Sequence, residues 1–339
     1  MNPELAILFT AGVASWILTL LILRYLNVRG IVDVPNERSS HSTPTPRGGG
    51  LAIVIVTILG VLLGAWSGWV PPFVALALGG GGALVALVGW VDDTRGLAPS
   101  VRLVTHVIAA TWLVFCLGGI VGLRFGSTSA PMRWIGDSLS ILAITWAISA
   151  YNFMDGIDAL AGSEAVWVGV VGGGIALASG DSGVAFVSLL LAFASAGFLV
   201  WNFPPAKIFL GDVGSGFLGY SFAAIALFSA RAGSLPVIAW LVLLGAFAFD
   251  STITLIRRMI RREAWYSTHR LSAYQRVAFR IGRHGPVTLA IMLLNVLLAI
   301  LCWIGWRAPH QWRVVALVTL GMLVLTYLAA ERFSPMVKA

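Results

Sequence analysis

The chain has 339 residues, of which 58% are hydrophobic and 11% charged, with a formal net charge of +8. A soluble globular domain does not need so much apolar sequence, so the composition excludes a soluble enzyme and describes a polytopic membrane protein. The two cysteines, Cys116 and Cys302, lie inside apolar segments and exclude a disulfide framework or a zinc centre. In chain order, residues 5–26 form a first stretch long enough to span. It lacks a basic leader and a small-residue cleavage site, so it is expected to be a retained helix. Ten further stretches follow at 50–67, 72–91, 101–123, 135–151, 160–178, 184–201, 217–230, 235–256, 286–306 and 312–330. The expected fold is all-α, with about 11 transmembrane helices in one catalytic domain spanning residues 1–339.

The basic residues set the orientation. With the N-terminus outside, 17 of the 22 Lys and Arg residues fall on inside segments and 5 on outside ones. That asymmetry predicts a cytoplasmic C-terminus. It also reads the positive charge as topological, so no nucleic-acid partner is expected. Every polar cluster then shares the cytoplasmic face. Loop one runs from Val32 through His41 to Arg47 and Gly50, and loop two holds Asp92 and Asp93. Loop three runs from Asn152 through Asp155 and Asp158, loop four carries Asp212, and loop five is the basic stretch 257–284.

Each cluster has a plain structural reading. Asp92 and Asp93 repel one another and need a cation, a basic group or a helix end to cap. Asp155 and Asp158, three apart, share a face if a helix begins there, or cap its start. Asp250 is placed to pair with Arg257 or Arg258. The run Gly79–Gly82 suits close helix packing. Loop four, residues 202–216, is the most specific. Pro204 and Pro205 end one helix, while Gly211, Gly214 and Gly216 flank Asp212 where the next begins, a setting for a metal holding phosphate oxygens. Together, five aspartates on three same-side loops describe a magnesium and diphosphate site at a membrane surface, and apolar surroundings imply a lipid substrate. A transporter of anionic metabolites would place its charges at the bilayer midplane, often with internal repeats, and neither pattern is visible. A non-catalytic scaffold would not need the aspartates.

Four motifs in order, Ser39–Gly50, Asp92-Asp-Thr-Arg-Gly-Leu97, Asn152-Phe-Met-Asp-Gly-Ile-Asp158 and Phe209-Leu-Gly-Asp-Val-Gly-Ser215, resemble those of the polyprenyl-phosphate N-acetylhexosamine-1-phosphate transferases. The resemblance implies transfer of a sugar 1-phosphate from a UDP-N-acetylhexosamine to undecaprenyl phosphate, with release of UMP, and is compatible with a homodimer. It implies Mg2+ as cofactor, with Mn2+ a permissible substitute, held by Asp212 and Asn152. Asp92 and Asp93 would lie near the lipid phosphate. Asp155 and Asp158 would line the nucleotide pocket, Phe209 would stack on uracil, and His269 and His41 would contact substrate. Arg47 would hold phosphate. Three positions depart from the family pattern: Ser149 replaces an asparagine, Ala159 a glycine, and His269-Arg-Leu-Ser272 keeps one histidine of a His-x-His-His motif. The adjoining Ala273-Tyr-Gln275 resembles the branch that starts O-antigen and related surface glycans.

Overall fold

The computed structural model describes residues 3–35, 43–119, 133–263 and 271–336. Each of the eleven apolar stretches carries helix. The helices are α1 (Pro3–Arg29), α2 (Leu51–Trp66), α3 (Pro72–Ala77), α4 (Ala83–Arg95), α5 (Pro99–Cys116), α6 (Arg133–Phe153) and α7 (Leu160–Ala178). They continue as α8 (Ser182–Asn202), α9 (Gly211–Ala232), α10 (Val237–Leu243), α11 (Gly245–Ile260), α12 (Ala273–Ile281), α13 (Gly285–Arg307) and α14 (Trp312–Phe333). This is an all-α polytopic membrane protein. Eight helical segments are long and apolar enough to cross a bilayer alone, and α10 with α11, bent by 80°, makes a ninth if the two form one span. The count falls below eleven because α2 has only 16 residues and α6 is diluted by Arg133, Asp137 and three serines.

Helix α9 forms the centre. Its span is 83% buried, against 17% for the outermost segment, Pro309–Phe333. Leucines, valines and phenylalanines on the outer helices, such as Leu62, Val107, Phe115 and Leu317, are exposed, as a lipid-facing surface requires. Two glycines let neighbours reach the start of α9. A Cβ on Gly89 of α4 would sit 2.5 Å from the Asp212 carbonyl oxygen, and one on Gly50 would collide with the Gly214 Cα. These close approaches bring loops one, two and four to one end of the bundle.

Glycines 79–82 form a π turn, Leu78–Gly82, between α3 and α4. The Tyr220 hydroxyl donates to the Ala77 carbonyl at 2.9 Å and the Trp112 indole N–H to that of Leu76 at 3.1 Å, giving partners to carbonyls where the helical ladder is interrupted. Gly80, Gly81 and Gly82 do serve close packing, against Trp112, Tyr220 and Phe217, whereas Gly79 has open space. A short antiparallel ladder, β1 (Val32–Asp33) with β2 (Thr45–Pro46), closes loop one. The expectation for Asp250 is corrected here. Its carboxylate accepts the Ala273 and Tyr274 N–H groups at 2.9 and 3.1 Å, capping α12, while Arg257 pairs with Glu331 and Arg258 with Glu263. The helix N-terminus buried beside it offers two N–H donors, and the Thr254 hydroxyl adds a third at 3.1 Å.

Candidate active site

Loop one and loop four are joined backbone to backbone. Phe209 N–H donates to the Pro46 carbonyl at 2.8 Å, and Gly48 and Gly49 N–H groups donate to the Phe209 carbonyl at 3.1 and 2.9 Å. Gly48 adopts φ +116, open to glycine, and its Cβ position is filled by the Trp90 ring. This ladder carries Arg47 to the start of α9. There its guanidinium meets Asp93 at 2.9 Å, Asp212 in a short contact, and Asp33 at 4.0 Å.

Asp93 leaves α4 and reaches the first turn of α9. Its two oxygens accept the N–H groups of Asp212 and Val213 at 2.9 and 3.0 Å, so it caps a helix over a hundred residues away in sequence. Asp92 accepts the Leu97 N–H at 2.6 Å. Asp212, only 5% exposed, is the hub. Arg102 bridges it to Asp92 at 3.0 and 2.8 Å, and the Asn152 amide donates to its Oδ2 at 3.0 Å. Asp155 accepts from the Gly211 N–H. Burial, relieved in part by Arg47 and aggravated by Asp212, pushes its carboxyl up to about 7. Arg47 is only partly exposed, and the neighbouring protein opposes its charge, yet Asp212 and Asp93 hold it firmly protonated.

Asp158 stands apart from that hub. Its Oδ1 lies 3.1 Å from His284 Nδ1 and its Oδ2 accepts the Ala206 N–H at 3.1 Å. The Asn202 side chain ties loops three and four together, accepting from Ala159 N–H and donating to the Ile208 carbonyl, both at 2.9 Å. Lys207, the one ammonium of loop four, turns away and lies over the Trp201 ring at 5.1 Å. His41 and His269 lie outside the described residues.

The structure thus brings Arg47, Asp92, Asp93, Asn152, Asp155 and Asp212 together, with Phe209 on the same ladder and Asp158 on the neighbouring turn. It adds Arg102, and beyond it His106, whose buried Nδ1 has no hydrogen-bond partner among the described residues. In the sequence, Arg102 is one of the 17 basic residues of the inside segments. Its signal was a spacing of nine or ten from the Asp pair, which places it on the first turn of the following helix. A cavity of about 580 Å3 lies elsewhere, lined by residues of the α2–α3, α7–α8 and α9–α10 turns. Its carboxylate, Asp181, is already engaged by Val184 N–H and the Ser234 hydroxyl.

The donor set suits a divalent cation. Asp33, Asp92, Asp93, Asp155 and Asp212 gather around Arg47 and Arg102, so carboxylates outnumber guanidiniums among the described residues of the site. No three His, Cys, Asp or Glu side chains there converge as a ready cage. Magnesium commonly takes one or two carboxylates and completes its shell with water and substrate phosphate.

Fold and site define a multi-pass membrane enzyme whose polar centre lies at one set of helix ends. Residues 75–230 match glycosyl transferase family 4. The chain is 29% identical to a probable undecaprenyl-phosphate N-acetylglucosaminyl 1-phosphate transferase of Bacillus subtilis, over 95% of this chain and 92% of that one. It is 30% identical to the decaprenyl-phosphate N-acetylglucosaminephosphotransferase of Mycobacterium leprae, over 86% and 81%. A phospho-N-acetylmuramoyl-pentapeptide-transferase of Synechococcus is 30% identical over 67% and 70%. The chain belongs to the polyprenyl-phosphate hexosamine-1-phosphate transferase family.

Proposed function

We propose that the chain transfers an N-acetylhexosamine 1-phosphate from a UDP-sugar to undecaprenyl phosphate at the cytoplasmic face of the bacterial inner membrane. It would do so as one catalytic unit and begin an O-antigen-like surface polysaccharide. The observation that carries this reading is the Asp212 hub, where carboxylates outnumber guanidiniums at the mouth of an apolar bundle. A lipid phosphate oxygen attacks the sugar-linked phosphorus. A new P–O bond forms as the bond to the UMP oxygen breaks, and UMP departs. The lipid phosphate, with a second pKa near about 6, is mostly ionised at neutral pH, so a general base adds little. If one acts, Asp92 or Asp93 is its place.

Asp212 and Asn152, with Asp92 adjoining, would hold magnesium, which when bound supplies charge neutralisation across the diphosphate. Arg47 and Arg102, each spread over more than one carboxylate, exchange part of that contact for phosphate oxygens. Asp93 keeps the first turn of α9 in place while this happens. Phe209 offers a ring for the base, and loop three lines the nucleotide side. The test is purified protein with UDP-N-acetylhexosamine, undecaprenyl phosphate and magnesium, followed by chromatography of the nucleotides. UMP that appears only with lipid acceptor, and stops on chelation, is the expected result. UDP as the main product defeats the proposal.

A further inference from the structure

The first residue before α13 touches the site from a direction that neither the Asp212 hub nor loop one explains. His284 Nδ1 lies 3.1 Å from Asp158 Oδ1 and 3.3 Å from the Asp158 backbone nitrogen. One turn further along, the Thr288 hydroxyl donates to the Asp158 carbonyl at 3.0 Å. Both protonation forms of Nδ1 meet the same residue. Bearing hydrogen, Nδ1 donates to the carboxylate; bare, it accepts the Asp158 N–H. Asp158 in turn holds loop four through Ala206 N–H at 3.1 Å. The side chains of His284 and Asp158 are 17% and 11% exposed, so water competes weakly for either contact.

We infer that His284 is a positioning residue for the nucleotide side of the active site. It fixes the carboxylate of Asp158 and through it the Ala206–Phe209 segment, so that the end of basic loop five and the donor pocket are set by one contact. This rests on the reading above that the nucleotide sugar binds at loops three and four. The lipid phosphate, expected at Asp92 and Asp93, does not meet this contact.

Asparagine and glutamine variants separate the positioning role from general packing. The Asn amide places a polar atom where Nδ1 stands, while Gln reaches the Nε2 position. In detergent-purified full-length protein with magnesium, His284→Ala is expected to weaken UDP binding, measured calorimetrically, and to raise the KM for the UDP-sugar. Both effects should be about tenfold, the scale of one lost charge-assisted hydrogen bond. The KM for undecaprenyl phosphate should stay within about twofold of wild type, since no partner of that substrate is removed. His284→Asn should restore most of the donor affinity and His284→Gln should not, a contrast that stands even if the alanine variant fails to fold. Equal recovery by Gln and Asn, unchanged UDP binding in His284→Ala, or parallel losses for both substrates would overturn the assignment. Wild-type protein that binds no UDP would instead defeat the underlying reading.

Discussion

At Asp212, one buried carboxylate serves two arginines and an asparagine amide. Removing its charge while keeping its shape isolates the electrostatic role, so Asp212→Asn should insert normally and lose at least about a hundredfold in turnover. Turnover near wild type at saturating magnesium would remove Asp212 from the metal site. Asp155 gives a pH signature. Burial raises its carboxyl from the ordinary 3.8 to about 7, so its contribution to stability is complete below the unfolded value and is lost as pH rises through the folded one. Substrate-free protein should therefore melt lower at pH 8 than at pH 6, and Asp155→Asn should shrink that difference. An unchanged difference in the variant would assign it to other groups. Ala159 carries a cost the family's usual glycine avoids, with φ 63 in the left-handed region. Ala159→Gly should stabilise the protein by about 1 kcal/mol, read as a higher melting temperature with unchanged donor KM. A lower melting temperature would mean that the buried Ala159 methyl matters more than backbone strain. The aspartates were legible because their motifs name them. Arg102 was not, because a basic residue on the first turn of an apolar helix is also what topology demands.

Among the elements, legibility followed the source of each constraint. Long apolar runs announced the helices, since in lipid a backbone must bond within itself. The π turn at Leu78–Gly82, the 80° bend between α10 and α11, and amphipathic α12 were not legible. Each is decided by partners distant in sequence: Tyr220 and Trp112 at the π turn, Leu298 and Leu323 packed near Gly245 at the bend, and Asp250 at the cap of α12. Capping was the plain expectation for the Asp pair, and Asp93 does cap a helix. That helix is α9 rather than the adjacent α5, because the close crossing at Gly89 brings the two chain segments together. The glycines of loop one make the same point in testable form. Gly50→Ala puts a methyl against the Gly214 Cα, backbone against backbone, where no side chain can yield. Overpacking of this kind costs about 1–3 kcal/mol, so Gly50→Ala should lower thermal stability and activity together, whereas Gly79→Ala, with open space, should change neither. Equal behaviour of the two variants would contradict the proposed crossing.

Over the whole molecule, the aspartate end and the cavity end lie at opposite ends of the helices, and the proposal that the first faces the cytoplasm rests on the charge asymmetry. A cysteine at Ser100, beside the hub, should stay unlabelled by an impermeant thiol reagent in intact cells. One at Ser234, on the far side, should label. The reverse pattern would invert the orientation and move the site outside. Which bond breaks decides the reaction, and an isotope reports it directly. UDP-N-acetylhexosamine carrying 32P only in its sugar-linked phosphate is incubated with purified protein, undecaprenyl phosphate and magnesium. The label and the sugar should then pass together into the lipid fraction while unlabelled UMP accumulates, and chelation should abolish both. Label retained in a released nucleoside diphosphate, with sugar on the lipid, would show cleavage at the sugar–oxygen bond and contradict the account.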